Sequence, residues 1–185
     1  GKTQLARQLA ARYRAALCTK DEIKEVLFDS LGTRAPAGQG SGVADRAGWS
    51  RRLSDASFAL LFHFAATLLR SEGCVVLEGN FRPGEHEAPL SASGARPVQI
   101  LCQASSATRA ARLAARAADA ARHPAHEDGR IDAELPGPGY LQLPGARLSF
   151  DSEPVAQGAF ASLCAELDAE LMDAHRPRVP AVPGA

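Results

Sequence analysis

Apolar residues in the first third of the chain recur at helical spacing, and further on they gather into short continuous runs. Leu5, Leu9 and Tyr13, flanked by Ala6 and Ala10, make one stripe and predict a helix directly after the opening Gly-Lys-Thr. Ala-Ala-Leu-Cys (15–18) predicts a short strand. Thr19 then opens a Thr-Lys-Asp-Glu capping-box spacing, and the helix it starts carries Ile23, Val26, Leu27 and Leu31 inward as far as Gly32. Residues 33–48, rich in Gly, Ala and Ser, read as a mobile loop. A long helix is predicted over 49–71, with Leu53, Leu60, Leu61, Phe64 and Leu68 inward and Gly73 just past its end.

Two further runs, CVVLEGNF (74–81) and PVQILCQA (97–104), are almost unbroken, as expected of parallel strands covered on both faces. The stretch between them is irregular with room for a short helix. An Ala/Arg-rich helix is predicted over 105–122, a strand over 147–152, and a last helix over 154–172 through Val155, Phe160, Leu163, Leu167 and Leu171. Residues 176–185 contain three prolines and read as a disordered tail. Strands alternating with helices predict an α/β fold with a doubly wound parallel sheet, in one domain over 1–175.

Composition adds little to this picture. Lys+Arg and Asp+Glu are both 21 in 185 residues, so there is no net charge to draw the chain toward nucleic acid or anionic lipid. Only Lys2, Lys20 and Lys24 are lysines; the other 18 basic residues are arginines. Cys18, Cys74, Cys102 and Cys164 have no metal-ligand spacing and read as buried reduced thiols. No apolar run reaches membrane-spanning length, and a cytoplasmic location is expected.

Candidate chemistry begins at the first residue. A lysine beside a hydroxyl residue at a helix N-terminus suits phosphate, because free N–H groups and the helix dipole attract the anion. Gly1, Lys2 and Thr3 thus read as the end of a phosphate loop, with Lys2 on the β and γ phosphates and Thr3 on Mg²⁺. Three residues alone also describe an ordinary helix start. Glu78 follows three apolar residues and is placed to hold Mg²⁺ or its water; a plain strand-end carboxylate is the alternative. Asn80 and Arg82 lie on the loop beyond it, at the carboxyl edge where open α/β sheets bind ligands, and are candidate substrate contacts. Asp21 follows the first predicted strand and is placed to orient an acceptor hydroxyl and take its proton, or simply to favour the helix dipole. Arg109, Arg112 and Arg116 share one helix face, and Arg122 follows before His123-Pro124 ends that helix. Arginines on a lid, about 116–139, suit the charge of a transferring phosphoryl group; a solvated helix face is the alternative. His123 and His126 read as lid-structuring residues.

The ordered set GKT, CTKDEIKEVLFDSLG, WSRRLSDASFALLF, CVVLEGNF, R…RHPAHED and RLSFDS resembles the small bacterial ATP-binding P-loop kinases grouped with AAA-family ATPases. These are relatives of the chloramphenicol phosphotransferase, zeta-toxin and polynucleotide kinase groups. The resemblance covers about residues 1–172. It implies a three-layer α/β/α sandwich with a parallel P-loop kinase-type sheet of about five strands, and ATP and Mg²⁺ as cofactors. It also implies that Lys2 and Thr3 end the phosphate loop, that Asp21 is the general base or substrate-orienting acid, and that Arg116 and Arg122 are lid arginines. Glu78 stands near the Walker-B position, where many relatives have Asp. The first strand and the glycine-rich first half of the loop are not in this sequence, so an apolar strand ending in glycine is expected upstream of Gly1.

The expected activity is Mg·ATP-dependent phosphoryl transfer to a hydroxyl of a small molecule. The alternatives are an ATP-binding regulatory or partner-binding module, and a nucleic-acid 5′-hydroxyl kinase. Zero net charge and the lack of an aromatic-rich basic groove argue against nucleic acid.

Overall fold

The predicted alternation of strands and helices is realised in a computed structural model that describes residues 1–32, 43–126, 139–153 and 158–174. Helix α1 (Lys2–Tyr13) leads into β1 (Ala16–Thr19), α2 (Lys20–Leu31), α3 (Val43–Glu72) and β2 (Val75–Glu78). The short α4 (Glu87–Ala92), β3 (Gln99–Gln103), α5 (Ser106–Ala117), β4 (Arg147–Asp151) and α6 (Ala159–Ala174) complete the order. The proposed tail, and the 127–138 part of the proposed lid, lie outside the described residues, as does the 33–42 part of the proposed loop.

The strands form two parallel pairs. β1 pairs with β2 in the register Ala16–Val75 to Thr19–Glu78, and β3 pairs with β4 in the register Gln99–Arg147 to Gln103–Asp151. Among the described residues β2 and β3 are not hydrogen-bonded to one another, so the two pairs stand where one continuous sheet was expected. A common core nonetheless joins them. Leu5 and Leu9 of α1 meet Leu163, Cys164 and Leu167 of α6, and Val76, Ile100, Leu148 and Phe150 from both pairs pack against that cluster. This single apolar cluster ties the first helix to the last. Tyr13 sits at its margin, its hydroxyl donating to Asp168 Oδ1 at 2.7 Å while Arg12 donates to Oδ2 at 2.7 Å.

Four further expectations need correction. Residues 43–48 are the first turns of α3, not loop: Gly48 is carried within a 30-residue helix whose downstream packing overrides its weak propensity. On α2 the inner face holds Lys20 and Lys24, while Val26 and Leu31 are 65% and 54% exposed. On α3 the buried stripe is Leu53, Ser57, Leu61 and Ala65, at strict four-residue spacing, which turns Phe64 outward. Lastly, Cys74 is exposed, just ahead of β2; all four cysteines are free thiols. Among the described residues no helix is long and apolar enough to cross a membrane.

Candidate active site

The parallel register of β1 and β2 sets Thr19 beside Glu78 at the carboxyl ends of both strands. Thr19 is also the N-cap of α2: its hydroxyl accepts the Glu22 N–H at 3.4 Å, which fixes the direction in which Asp21 leaves the strand. The N-terminus of α1 reaches the same edge. Thr3 donates its hydroxyl to Glu78 Oε2 at 3.3 Å, bringing together residues 75 positions apart in sequence. Glu78 is buried at 8% exposure, and that burial pushes its carboxyl above the usual range, with Asp21 adding to the rise and Lys2 and the Thr3 hydroxyl opposing it. Lys2, Thr3, Asp21 and Glu78 therefore belong to one electrostatic neighbourhood.

Gly1 is the N-cap of α1 and has no side chain to satisfy the first-turn N–H groups. Gly1 lies against the other strand pair. A Cβ at Gly1 would lie 2.9 Å from Ser152 Oγ, immediately beyond β4, so glycine is required by close approach. Arg112 donates Nη1 to the same Ser152 Oγ at 2.8 Å and Nη2 to the Ser152 carbonyl. Arg112, Lys2 and Arg116 all place positive charge near the Gly1 nitrogen. The start of α1 is thus ringed by cations contributed from two elements.

Asp21 is half exposed, with Oδ1 3.4 Å from Lys20 Nζ and Oδ2 4.0 Å from His126 Nδ1. Lys20 is buried between α2 and α3, its ammonium 3.5 Å from Ser54 Oγ and over the Phe58 ring. Lys24, one turn on, donates to Ser50 Oγ at 3.1 Å. Gly79 continues from Glu78 through a tight gap, where a Cβ would lie 3.3 Å from Lys20 Cβ and 3.4 Å from the Phe58 ring. The chain then turns: His86 Nδ1 accepts the Arg82 N–H at 2.8 Å, and its ring lies 4.0 Å from Phe58 in a cluster with Phe62 and Phe81. Burial among these rings, first of all causes, lowers the His86 pKa, keeping it neutral.

The predicted residues therefore fall into two groups. Gly1, Lys2, Thr3, Asp21 and Glu78 meet at one edge. Arg116, on α5, joins them electrostatically near Gly1, although its Nε donates to the Arg112 carbonyl at 3.3 Å. Asn80 is exposed on the following turn, and Arg82 is directed to Glu85 at 3.4 Å, so no contact draws either toward Thr3. Arg122 lies half-buried beyond α5. Sequence reasoning missed Lys20, His86 and the fixed position of Arg112. The signal for Lys20 was present: Lys20 and Lys24 stand four apart, as do Ser50 and Ser54 on the facing helix.

No protein-family model matches the chain, and no curated protein matches it. Among solved structures, the crystal structure of a "putative kinase" from Chloroflexus aurantiacus j-10-fl superposes with a TM-score of 0.76 at 30% identity, covering 92% of this chain and 91% of that one. The chain belongs to the same kinase-like family. Coverage of 92% of this chain and 91% of that one makes the likeness one of the whole fold rather than of a local motif.

Oxygen donors dominate that edge. The Thr3 hydroxyl and the Glu78 carboxylate are the hard ligands that Mg²⁺ takes. This fits Mg²⁺, which is ordinarily held by one or two protein oxygens together with substrate phosphate and water. The uncapped first turn of α1, with Lys2, Arg112 and Arg116 around it, fits a polyphosphate.

Proposed function

We propose that the protein is a Mg·ATP-dependent P-loop phosphotransferase that moves the γ-phosphate to a hydroxyl of a small molecule, within the three-layer α/β/α architecture that its resemblance implies. The observation that carries this reading is the Thr3–Glu78 contact, which sets a phosphate-type helix start against a buried acid at the strand ends. In this reading Gly1 and the first N–H groups of α1 cradle phosphate, and Lys2 neutralises the β and γ oxygens. Bound Mg²⁺ would polarise the transferring phosphoryl group. Thr3 and Glu78 would hold that ion; burial raises the Glu78 carboxyl pKa, and Lys2 and the Thr3 hydroxyl oppose that rise.

Asp21 accepts the proton of the attacking hydroxyl. It stands in the first turn of α2, two residues beyond Thr19, the last residue of the strand paired with the one bearing Glu78, and half of it is open to an incoming acceptor. Proton acceptance contributes typically 10²–10⁴-fold when the group is in reach. Arg116 and Arg122 stabilise the charge that spreads over the phosphoryl oxygens, and Arg112, anchored on Ser152, holds a further positive charge beside the helix start. Asn80 and Arg82 meet the acceptor on the loop after β2.

A screen of alcohol-bearing metabolites, antibiotics and oligonucleotides for γ-phosphate transfer tests the proposal. With an acceptor found, Asp21→Asn is expected to keep Mg·ATP affinity and lower transfer by roughly 10²–10⁴-fold. Mg·ATP binding with no acceptor phosphorylated anywhere in the screen would favour a regulatory ATP-binding module instead.

A further inference from the structure

Three carboxylates, Asp21, Glu25 and Asp29, lie four residues apart on one face of α2. The turn after α5 lies along them. His123 Nε2 is 3.1 Å from Asp29 Oδ1, and His123 Nδ1 accepts the Ala125 N–H at 3.2 Å, so the hydrogen on Nε2 is the one given to Asp29. Ala125 is buried at 2% exposure. His126 Nε2 is 2.6 Å from Glu25 Oε1, and its opposite nitrogen, Nδ1, is 4.0 Å from Asp21 Oδ2. The His126 side chain is 6% exposed, whereas that of Asp21 is 50% exposed.

This contact is one that the phosphate chemistry at Thr3 and Glu78 does not need. Among the described residues, the other tether of Asp21 is Lys20 Nζ at 3.4 Å, a long bond to one oxygen of a half-exposed carboxylate. An imidazole fixed from behind by Glu25 occupies one side of it. We infer that His126 is a positioning residue for Asp21, set by its bond to Glu25 and by the His123–His126 turn anchored on buried Ala125, and that it holds the carboxylate in the orientation an acceptor hydroxyl meets. The inference rests on the phosphotransferase reading for its catalytic consequence, while the contact itself is testable without it.

The turn begins six residues beyond the end of the arginine-bearing α5 at Ala117, with Arg122 one residue before His123. Seating of the turn on α2 and orientation of Asp21 are therefore one event. A chain with the turn displaced would lose both.

The test uses two variants and two readouts. In ¹⁵N-edited spectra of the imidazoles, Asp21→Asn is expected to shift the Nδ1 resonance of His126 and leave that of His123 in place. An unmoved His126 resonance would overturn the contact, whatever the activity of the protein. Hydrolysis of Mg·ATP, with water as the probe acceptor, supplies the second readout. His126→Gln keeps an N–H donor for Glu25 and is expected to keep the wild-type melting temperature, yet to lower kcat about tenfold with KM for Mg·ATP within twofold. His126→Ala is expected to lower both kcat and melting temperature. Wild-type kcat in His126→Gln would show that the residue only fastens the turn, and would overturn the positioning role. Absence of hydrolysis in the wild type would count against the phosphotransferase reading alone, and the imidazole spectra would still decide the contact.

Discussion

Glu78 carries a cost that its neighbours only partly offset. Burial raises its carboxyl pKa above the ordinary glutamate value of 4.5, so the folded state holds its proton more tightly than the unfolded chain does. Stability contributed at this position is therefore present below about pH 4.5 and falls as pH rises through the higher folded value. Glu78→Gln, without Mg²⁺ or nucleotide, is expected to melt at a higher temperature than the wild type at pH 7 to 8, with the gap closing below pH 4.5. Melting curves across that range check it; a variant that melts lower at pH 7 would show that Thr3 and Lys2 outweigh desolvation. The same residue was legible in sequence only as an acid after three apolar positions. Its partner Thr3 could be joined to it only through a fold, because 75 residues separate them. His86 and Lys20 were not legible as buried groups, since a polar residue's burial depends on which face packs, and that is decided by the helix opposite.

At the scale of elements, the buried face of α2 diverged from the sequence because of a polar match. α2 turns its lysines inward because α3 offers Ser50 and Ser54 at matching height, so the apolar Val26 and Leu31 are left outside. Periodicity counts apolar positions and does not see such polar matches. Where the inner face is purely apolar, as on α1 and α6, the predicted stripe and the packed stripe agree from Phe160 onward on α6, Val155 lying outside the described residues. α3 depends on close packing through Leu61, which is fully buried. Leu61→Ala is expected to cost about 2–5 kcal/mol of stability, measured by denaturant unfolding, as for other truncations that leave a core cavity. α5 depends on a cap: Ser105 Oγ accepts the Thr108 N–H at 3.2 Å, and Glu153 from beyond β4 accepts from the Ser105 N–H at 2.6 Å and from the Thr108 hydroxyl. The Thr108 hydroxyl foremost, then Ser105, draw the Glu153 carboxyl down to about 2. Its stabilisation is thus complete above about pH 4.5 and lost as pH falls toward 2. Glu153→Gln is expected to lower the melting temperature at neutral pH, with the difference from wild type gone near pH 2.

On the scale of the whole molecule, element order and parallel pairing were readable from the alternation of short apolar runs with helical stripes. The division into two strand pairs was not, because which edges pair is a property of three-dimensional neighbours and leaves no periodic mark. What joins the pairs is the α1–α6 cluster and the contact of Gly1 with Ser152, and both run through the helix that opens the candidate site. Nucleotide bound at the start of α1 would then bridge both pairs and stabilise the entire fold, by an amount that grows with the logarithm of ligand over Kd. The central claim is that this helix start holds the phosphate that is transferred. It is tested most directly by following γ-labelled ATP with Mg²⁺ in the wild-type protein and in Lys2→Ala. The account predicts that label leaves ATP in the wild type and that Lys2→Ala lowers this turnover by roughly 100-fold or more. Wild-type turnover in Lys2→Ala would contradict it.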